Sequence, residues 1–350
     1  MSKNKSGLKS KIFRKMHYFF DNNLKSRTSP WINNILYPAY RHRNVKPVSD
    51  DLSSLYITQI PNDGAGIGHQ MSNILGGVHI ARTLGINYAY PGLKGKDEWE
   101  KFLGVSDSSK SLVELKRQGY KIKMLPCFST DDLSDERSSK NTDNLSVKSC
   151  GLATIKKIIQ SYAGEKIIFS VYLDQSYKNQ YEEADYIKTR FEASESRKND
   201  KLLYDKDNIN IAIHIRRGDI VVGQKTGEET LTKRWLDIEY YEDIIHKLFD
   251  YLRENNPKKK PVIYNFSEGN TEAYQIFKKY GEVVYCFDMS AIDSFLHMVR
   301  ADYLILSKSS FSYIPALLSD GIRICPPGFW HGYPEDKKWI IANNEKILFI

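Results

Sequence analysis

The sequence predicts an α/β protein carrying two parallel, doubly wound sheets. Three observations carry that expectation. Residues 209–215 place Ile at 209, 211, 213 and 215, a density of β-branched residues that reads as a buried strand. From residue 238 to 325, helical and strand patterns alternate: helix 238–255, strand 261–266, helix to Tyr280, strand 282–287, helix 291–300, strand 301–306, helix 313–319, strand 321–325. Near the other end, strand Leu55–Ile60 runs through a glycine-rich turn into a helix ending near Leu84. At 350 residues the chain is long enough for two domains.

Taken in order, residues 1–50 read as a basic arm. Residues 1–46 hold seven Lys and four Arg against one acid, Asp21, so the arm carries +10 of a whole-chain charge of +8. The remainder is close to neutral, which argues against a nucleic-acid binder. Within the arm, Lys9–Phe20 mixes cations with Phe and Met. A short amphipathic helix on a membrane surface and an extension docked on the protein itself are equal readings. No apolar run is long enough to span a bilayer, and no signal-peptide core is present.

Residues 51–207 form the first expected domain. Met71, Ile74, Leu75, Val78 and Ala81 supply the apolar stripe of its first helix. Gly64, Gly66 and Gly68 precede it, yet the third glycine of G-x-G-x-x-G is replaced by His69. Ile86–Tyr90 and Lys166–Val171 read as strands, and Leu152–Tyr162 as a helix. Residues 128–149 read as a polar loop. Asp131-Asp132 there lacks the spacing and preceding strand of a metal-binding pair. Cys127, Cys150, Cys286 and Cys325 are scattered, which excludes a zinc site or disulfide scaffold and leaves buried free thiols.

Residues 208–350 form the second expected domain, and the chemistry concentrates there. The strand at 209–215 ends in His214, Arg216, Arg217, Gly218 and Asp219. Two guanidinium groups at a strand's carboxyl end suit a phosphate group. Gly223–Thr230 follows as a polar, glycine-bearing segment expected to be a lid. Asp219, Glu228 and Glu229 are the carboxylates available to take a proton from an attacking hydroxyl. Asp288 ends a strand and could accept from both N–H groups of a guanine edge, or cap the next helix, as could Ser290. Ser309, Ser310, Phe311 and Ser312 stand between a buried strand and a helix start, where hydroxyls and free N–H groups can hold phosphate oxygens or simply cap the helix. Trp330, His331 and Tyr333 fall in a loop after the last of these strands.

The order His-x-Arg-Arg-x-Asp at 214–219 resembles the motif of α1,2- and α1,6-fucosyltransferases, and more loosely that of protein O-fucosyltransferases. Gly64, Gly66, Gly68 and Gln70 are similar to a Gly-x-Gly-x-Gly-x-Gln stretch of the same enzymes. Ser-Ser-Phe-Ser at 309–312 is similar to a third. The resemblance implies a GT-B-type glycosyltransferase: two Rossmann-like domains facing a cleft, with GDP-fucose held mainly by the second. It implies inverting, metal-independent transfer of L-fucose to a glycan hydroxyl. Arg216 would neutralise the leaving diphosphate, and Arg217 would do the same or brace Asp219. Ser309–Ser312 would hold phosphate, Asp288 would read guanine, and His214 would touch base or ribose. Gly66, Gly68, His69, Gln70 and Asn73 would line the sugar or acceptor side. The expected setting is cytoplasmic synthesis of a bacterial surface polysaccharide or lipid-linked glycan, peripheral on the inner membrane face through residues 1–20. No cofactor and no metal are expected. A transferase of another nucleotide sugar and a noncatalytic glycan-binding protein are the alternatives.

Overall fold

The computed structural model describes residues 30–62, 64–106, 110–130, 150–171, 179–329 and 331–342. The expectations made for Lys9–Phe20, for Asp131-Asp132 and for Trp330 lie outside the described residues. The chain divides into two compact units. The first takes residues 1–62, 76–92 and 108–176, and the second takes 63–75, 93–107 and 177–350. Both are α/β with parallel sheets, the class expected of a GT-B-type enzyme. The units are not contiguous in sequence: the glycine turn and the first helical residues, 63–75, group with the second.

In the first unit, strands β1 (Tyr56–Thr58), β2 (Asn87–Tyr88), β3 (Lys121–Met124) and β4 (Ile167–Ser170) pair in the order β2-β1-β4-β3, all parallel. Helix Leu152–Gln160 buries Ile155, Ile158 and Ile159 against Leu55, Ile57 and Phe169. Each such side chain contributes about 1.5–3 kcal/mol on burial. Strand β3, Lys-Ile-Lys-Met, was not anticipated. It is a sheet edge, and its lysines disguise its pattern while discouraging further pairing. The cysteines are free, but only Cys286 and Cys325 are buried; Cys127 and Cys150 are part-exposed.

In the second unit, β5 (Asn208–His214), β6 (Lys260–Phe266), β7 (Glu282–Tyr285), β8 (Tyr303–Ile305), β9 (Ile322–Cys325) and β10 (Trp339–Ile341) pair in the order β10-β9-β8-β5-β6-β7, all parallel. Side chains alternate across a strand. Ile209, Ile211, Ile213 and Ile215 therefore share one face, and they pack with Tyr241, Ile244, Ile245 and Leu248 of helix Ile238–Asn255. Asn210, Ala212 and His214 take the opposite face. That parity fixes where His214 points.

Two local expectations change. The segment 223–230 is helical rather than a loop: Gly218–Thr226 and Glu229–Thr232 are short helices separated by Gly227 in the left-handed region. Gly223 packs against Leu231 so tightly that an added Cβ would lie 2.9 Å from Leu231 Cδ1. The 326–334 stretch also turns inward. His331 is fully buried and stacks on Tyr313 at 4.8 Å, and the Tyr333 hydroxyl donates to the Pro326 carbonyl. Among the described residues, no helix is long and apolar enough to cross a membrane.

Candidate active site

The strands of the second sheet run outward in sequence from its middle, β5-β6-β7 to one side and β8-β9-β10 to the other. The order reverses between β5 and β8, which are direct neighbours. In open parallel sheets, ligands bind beyond the carboxyl ends of the strands at this reversal. Here those ends are His214–Asp219 after β5 and Leu306–Ser310 after β8. His214 Nδ1 lies 2.8 Å from Ser307 Oγ, so the guanidinium-bearing tip and the hydroxyl-lined helix start meet.

His214 is buried. Burial, and secondarily the charge of Arg216, pushes its pKa down to about 3. It stays neutral at physiological pH and presents a fixed hydrogen-bonding ring, with Phe311 at 5.5 Å between centroids. The unfolded chain takes up this proton near pH 6.5, and the folded protein resists until about pH 3. The stability held by neutral His214 is thus fully present above pH 6.5 and lost as pH falls towards 3, on the order of 5 kcal/mol in all. A His214→Gln variant is expected to flatten the fall of the urea midpoint between pH 6 and 4. An unchanged slope would show that His214 is not the group being charged.

Arg216 is half-buried. Its Nη2 donates to Asp219 Oδ2 at 2.7 Å and its Nε to Oδ1 at 3.3 Å, a two-point clamp. Burial alone would raise the Asp219 carboxyl; the hydrogen bond and charge of Arg216, the charge of Arg234 and the Ile220 N–H outweigh it and hold the pKa low. A carboxylate so held is a weak base and a good orienter. Arg217 does something else. It is buried, donates to the carbonyls of Arg216 (3.0 Å) and Leu236 (3.1 Å), and lies 4.0 Å above the Trp235 ring. The bracing of Asp219 expected of Arg217 is done by Arg216, and Arg217 fixes the backbone of the loop.

Helix Ser310–Leu318 begins three residues earlier than its pattern suggests. Ser309 Oγ accepts from the Phe311 N–H at 3.2 Å, and Ser312 Oγ donates to the Ser309 carbonyl at 3.2 Å. Both hydroxyls are buried and serve the turn itself, while Ser310 is part-exposed. Phe311 packs between His214, Trp99 and Phe295.

Helix Ile67–Leu84 starts against the same turn. An ideal Cβ on Gly68 would lie 2.6 Å from the Phe311 backbone N and closer still to the Ser310 carbonyl. Only a hydrogen fits, so two helix N-termini open side by side. Each carries about half a positive charge. Gly66, in contrast, faces open space. Gln70, expected to contact sugar, is buried. Its amide donates to the Ala65 and Lys94 carbonyls and accepts from the Lys94 N–H, which uses up both ends on backbone. Asn73 is fully buried in the same helix, and His69 is part-exposed.

Of the remaining carboxylates, Glu229 is exposed and paired with Lys233 at 2.5 Å, whose hydrogen bond and charge lower its pKa. Glu228 is exposed at the start of helix Glu229–Thr232. Asp288 is exposed in the turn after β7, and the cap of helix Ala291–Arg300 is Ser290, whose hydroxyl accepts from the Asp293 N–H at 3.0 Å. Asp288 is therefore not the cap. Two residues at the site were not singled out in advance. Ser307 lies two residues past the end of β8, and in the pairing Ile213↔Ile305 its parity is that of Ile215, so strand alternation does not foretell its contact with His214. Glu268, at the tip of β6, carries its carboxylate over Gly218, where an added Cβ would lie 3.0 Å from Glu268 Cδ. Gly218 has a φ of +38°, so glycine is favoured there twice over. Nothing local in the sequence signals that approach. Among the described residues, no group of three or more His, Cys, Asp or Glu is arranged to hold a metal ion.

A six-stranded parallel sheet with cationic and hydroxyl groups at its reversal is an arrangement suited to a nucleotide's phosphates. Residues 154–332, which include both stretches, match the family model described as glycosyl transferase family 11, and the protein is a glycosyltransferase. The chain belongs to glycosyl transferase family 11, the α1,2-fucosyltransferase family. Among solved structures it is similar to POFUT1 in complex with GDP-fucose, at 15% identity and TM-score 0.45, covering 79% of this chain and 96% of that one. It is also similar to apo POFUT1, at 15% identity and TM-score 0.46, covering 78% and 96%. A mutant of Arabidopsis thaliana FUT1 in complex with GDP aligns at 8% identity and TM-score 0.36, covering 93% and 79%. No curated protein matches the chain.

Proposed function

We propose that this enzyme transfers L-fucose from GDP-fucose to a hydroxyl of a glycan acceptor, with inversion and without a metal ion. The observation that carries the reading is the 2.8 Å contact between His214 and Ser307, because it joins the two phosphate-suited stretches at one place. Arg216, oriented by Asp219, would face the diphosphate, and the first turns of helices Ile67–Leu84 and Ser310–Leu318 would add N–H donors. Negative charge grows on the departing diphosphate as the glycosidic bond breaks. Fixed positive charge there stabilises the transition state more than the ground state, and supplies what a metal ion supplies in other transferases.

The acceptor hydroxyl must lose a proton as it attacks. Asp219 is committed to Arg216, and Glu229 to Lys233. Glu268, whose carboxylate lies over Gly218, is the carboxylate we propose for the base. Asp288 would accept from a guanine edge, and the family's linkage, α1,2, is the one proposed. Four free thiols suit a reducing compartment, which supports cytoplasmic assembly of a bacterial surface polysaccharide or lipid-linked glycan.

The donor is tested by thermal unfolding with a panel of nucleotides. At about one hundred times its Kd, GDP adds ~2.7 kcal/mol of stability and raises Tm by a few degrees. Stabilisation by UDP and not by GDP would replace the donor and keep the family.

A further inference from the structure

A second surface, on the first unit, has no part in that chemistry. Residues 30–48 fold back on themselves through helix Pro30–Leu36 and the turn Pro38–Asn44. They leave Val48 67% exposed, Ile35 49% and Val45 44%. Cations stand between these aliphatic side chains: Arg41, Arg43 and Lys46, with Lys123 from the edge strand β3. Contacts make this one strip. Arg41 Nε donates to the Asn34 carbonyl at 3.1 Å and Arg43 Nη1 to Asn34 Oδ1 at 2.9 Å, which brings both beside Ile35. His42 stacks on Tyr162 at 4.0 Å, and the Lys123 ammonium lies 5.1 Å from the same ring. The Val48 N–H donates to the Gln160 carbonyl, next to Ser161, which bonds His42.

None of the four cations makes a salt bridge with a described residue. Three acids lie at its margin: Asp50 accepts from Gln160 Nε2, Asp51 from the Ser53 N–H, and the charge of Glu165 reaches His42 and Tyr162. The imbalance is general to this unit, whose described residues hold twelve Lys and Arg against four Asp and Glu. In the second unit, by contrast, several surface cations are paired, as in Lys247–Asp243, Lys260–Glu282 and Arg300–Glu192.

We propose that this strip docks the enzyme on an anionic lipid bilayer, with Val45, Val48 and Ile35 entering the headgroup layer and the four cations meeting lipid phosphates. Mixed aliphatic and cationic side chains are what an interfacial surface requires. A single-stranded nucleic acid would need exposed aromatic rings for stacking, and among the described side chains the exposed large apolar residues of the strip are Ile and Val. The proposal is independent of the donor sugar and of residues 1–20.

The test is co-sedimentation of the full chain with vesicles of phosphatidylcholine alone or with one-third phosphatidylglycerol. Each cation near an anionic surface is worth about fivefold in partitioning. The variant Arg41→Gln/Arg43→Gln/Lys46→Gln/Lys123→Gln is expected to lose binding several hundredfold, and Val45→Ser/Val48→Ser about tenfold. All these side chains are exposed or at the surface, and unchanged thermal unfolding of each variant reports that it folds. Binding should need phosphatidylglycerol and weaken in salt. An arm variant, Lys9→Gln/Lys11→Gln/Arg14→Gln/Lys15→Gln, separates the two basic regions. The proposal is overturned if the strip variant binds like the parent, if the arm variant alone abolishes binding, or if the parent does not bind vesicles but is retained on heparin.

Discussion

Arg216→Ala is expected to lower kcat/KM for sugar transfer by ~10³-fold or more, because one preorganised cation at a departing phosphate is worth that much. The fold should survive. The side chain of Arg216 is 21% exposed and its partner Asp219 58%, and exposed ion pairs contribute about 0–1 kcal/mol. Arg216→Lys keeps the charge but loses the two-point clamp on Asp219, so it should recover only part of the rate. Asp219→Asn should behave as a milder version of the same defect, with the loss mainly in kcat. Steady-state kinetics beside an unfolding curve decide the matter. Near-normal turnover in Arg216→Ala would remove this guanidinium from the reaction.

Gly68→Ala carries the second large effect. Alanine is ordinarily better than glycine inside a helix by about 1 kcal/mol. Here the added methyl meets the backbone of Ser310 and Phe311, which cannot rotate away as a side chain could. Overpacking of this kind costs about 1–3 kcal/mol, so the net change should be destabilising. The pressure falls on the turn that holds Ser309 and Ser310, so donor KM should rise at least about tenfold. Gly66→Ala is the control: its Cβ meets nothing within 4 Å. Equal behaviour of the two variants would mean that the helix starts do not abut.

The two outcomes bear on how much could be read before the structure. Strand β5 was legible because both its faces are buried and its isoleucines repeat with period two. Helices Ile238–Asn255 and Ala291–Arg300 were legible because their apolar stripes are long. Strands β3 and β10 were not, being short and lying at sheet edges, one of them carrying two lysines. At the site, the structure joins His214 to Ser307 and sets Gly68 against the Ser310–Phe311 turn, but the division of labour among these side chains was not legible. Whether Arg216 or Arg217 holds Asp219 depends on the turn set by Gly218 and on the Trp235 ring. Whether Ser309 caps the helix or stays available depends on where the first turn begins. Those are three-dimensional facts with no fixed signature in spacing. Gln70 shows the same limit: a polar residue at a helix start is equally suited to a ligand and to its own loop, and here the loop has it.

The pleat of β5 has one more consequence. Alternate residues of Asn208–His214 serve two masters, the aliphatic core on one side and the imidazole's niche on the other. Deleting a single residue in that span would exchange them, aiming an imidazole into greasy surroundings and isoleucine at the hydroxyls. Evolution can therefore vary this segment by substitution, never by a change of one in its length.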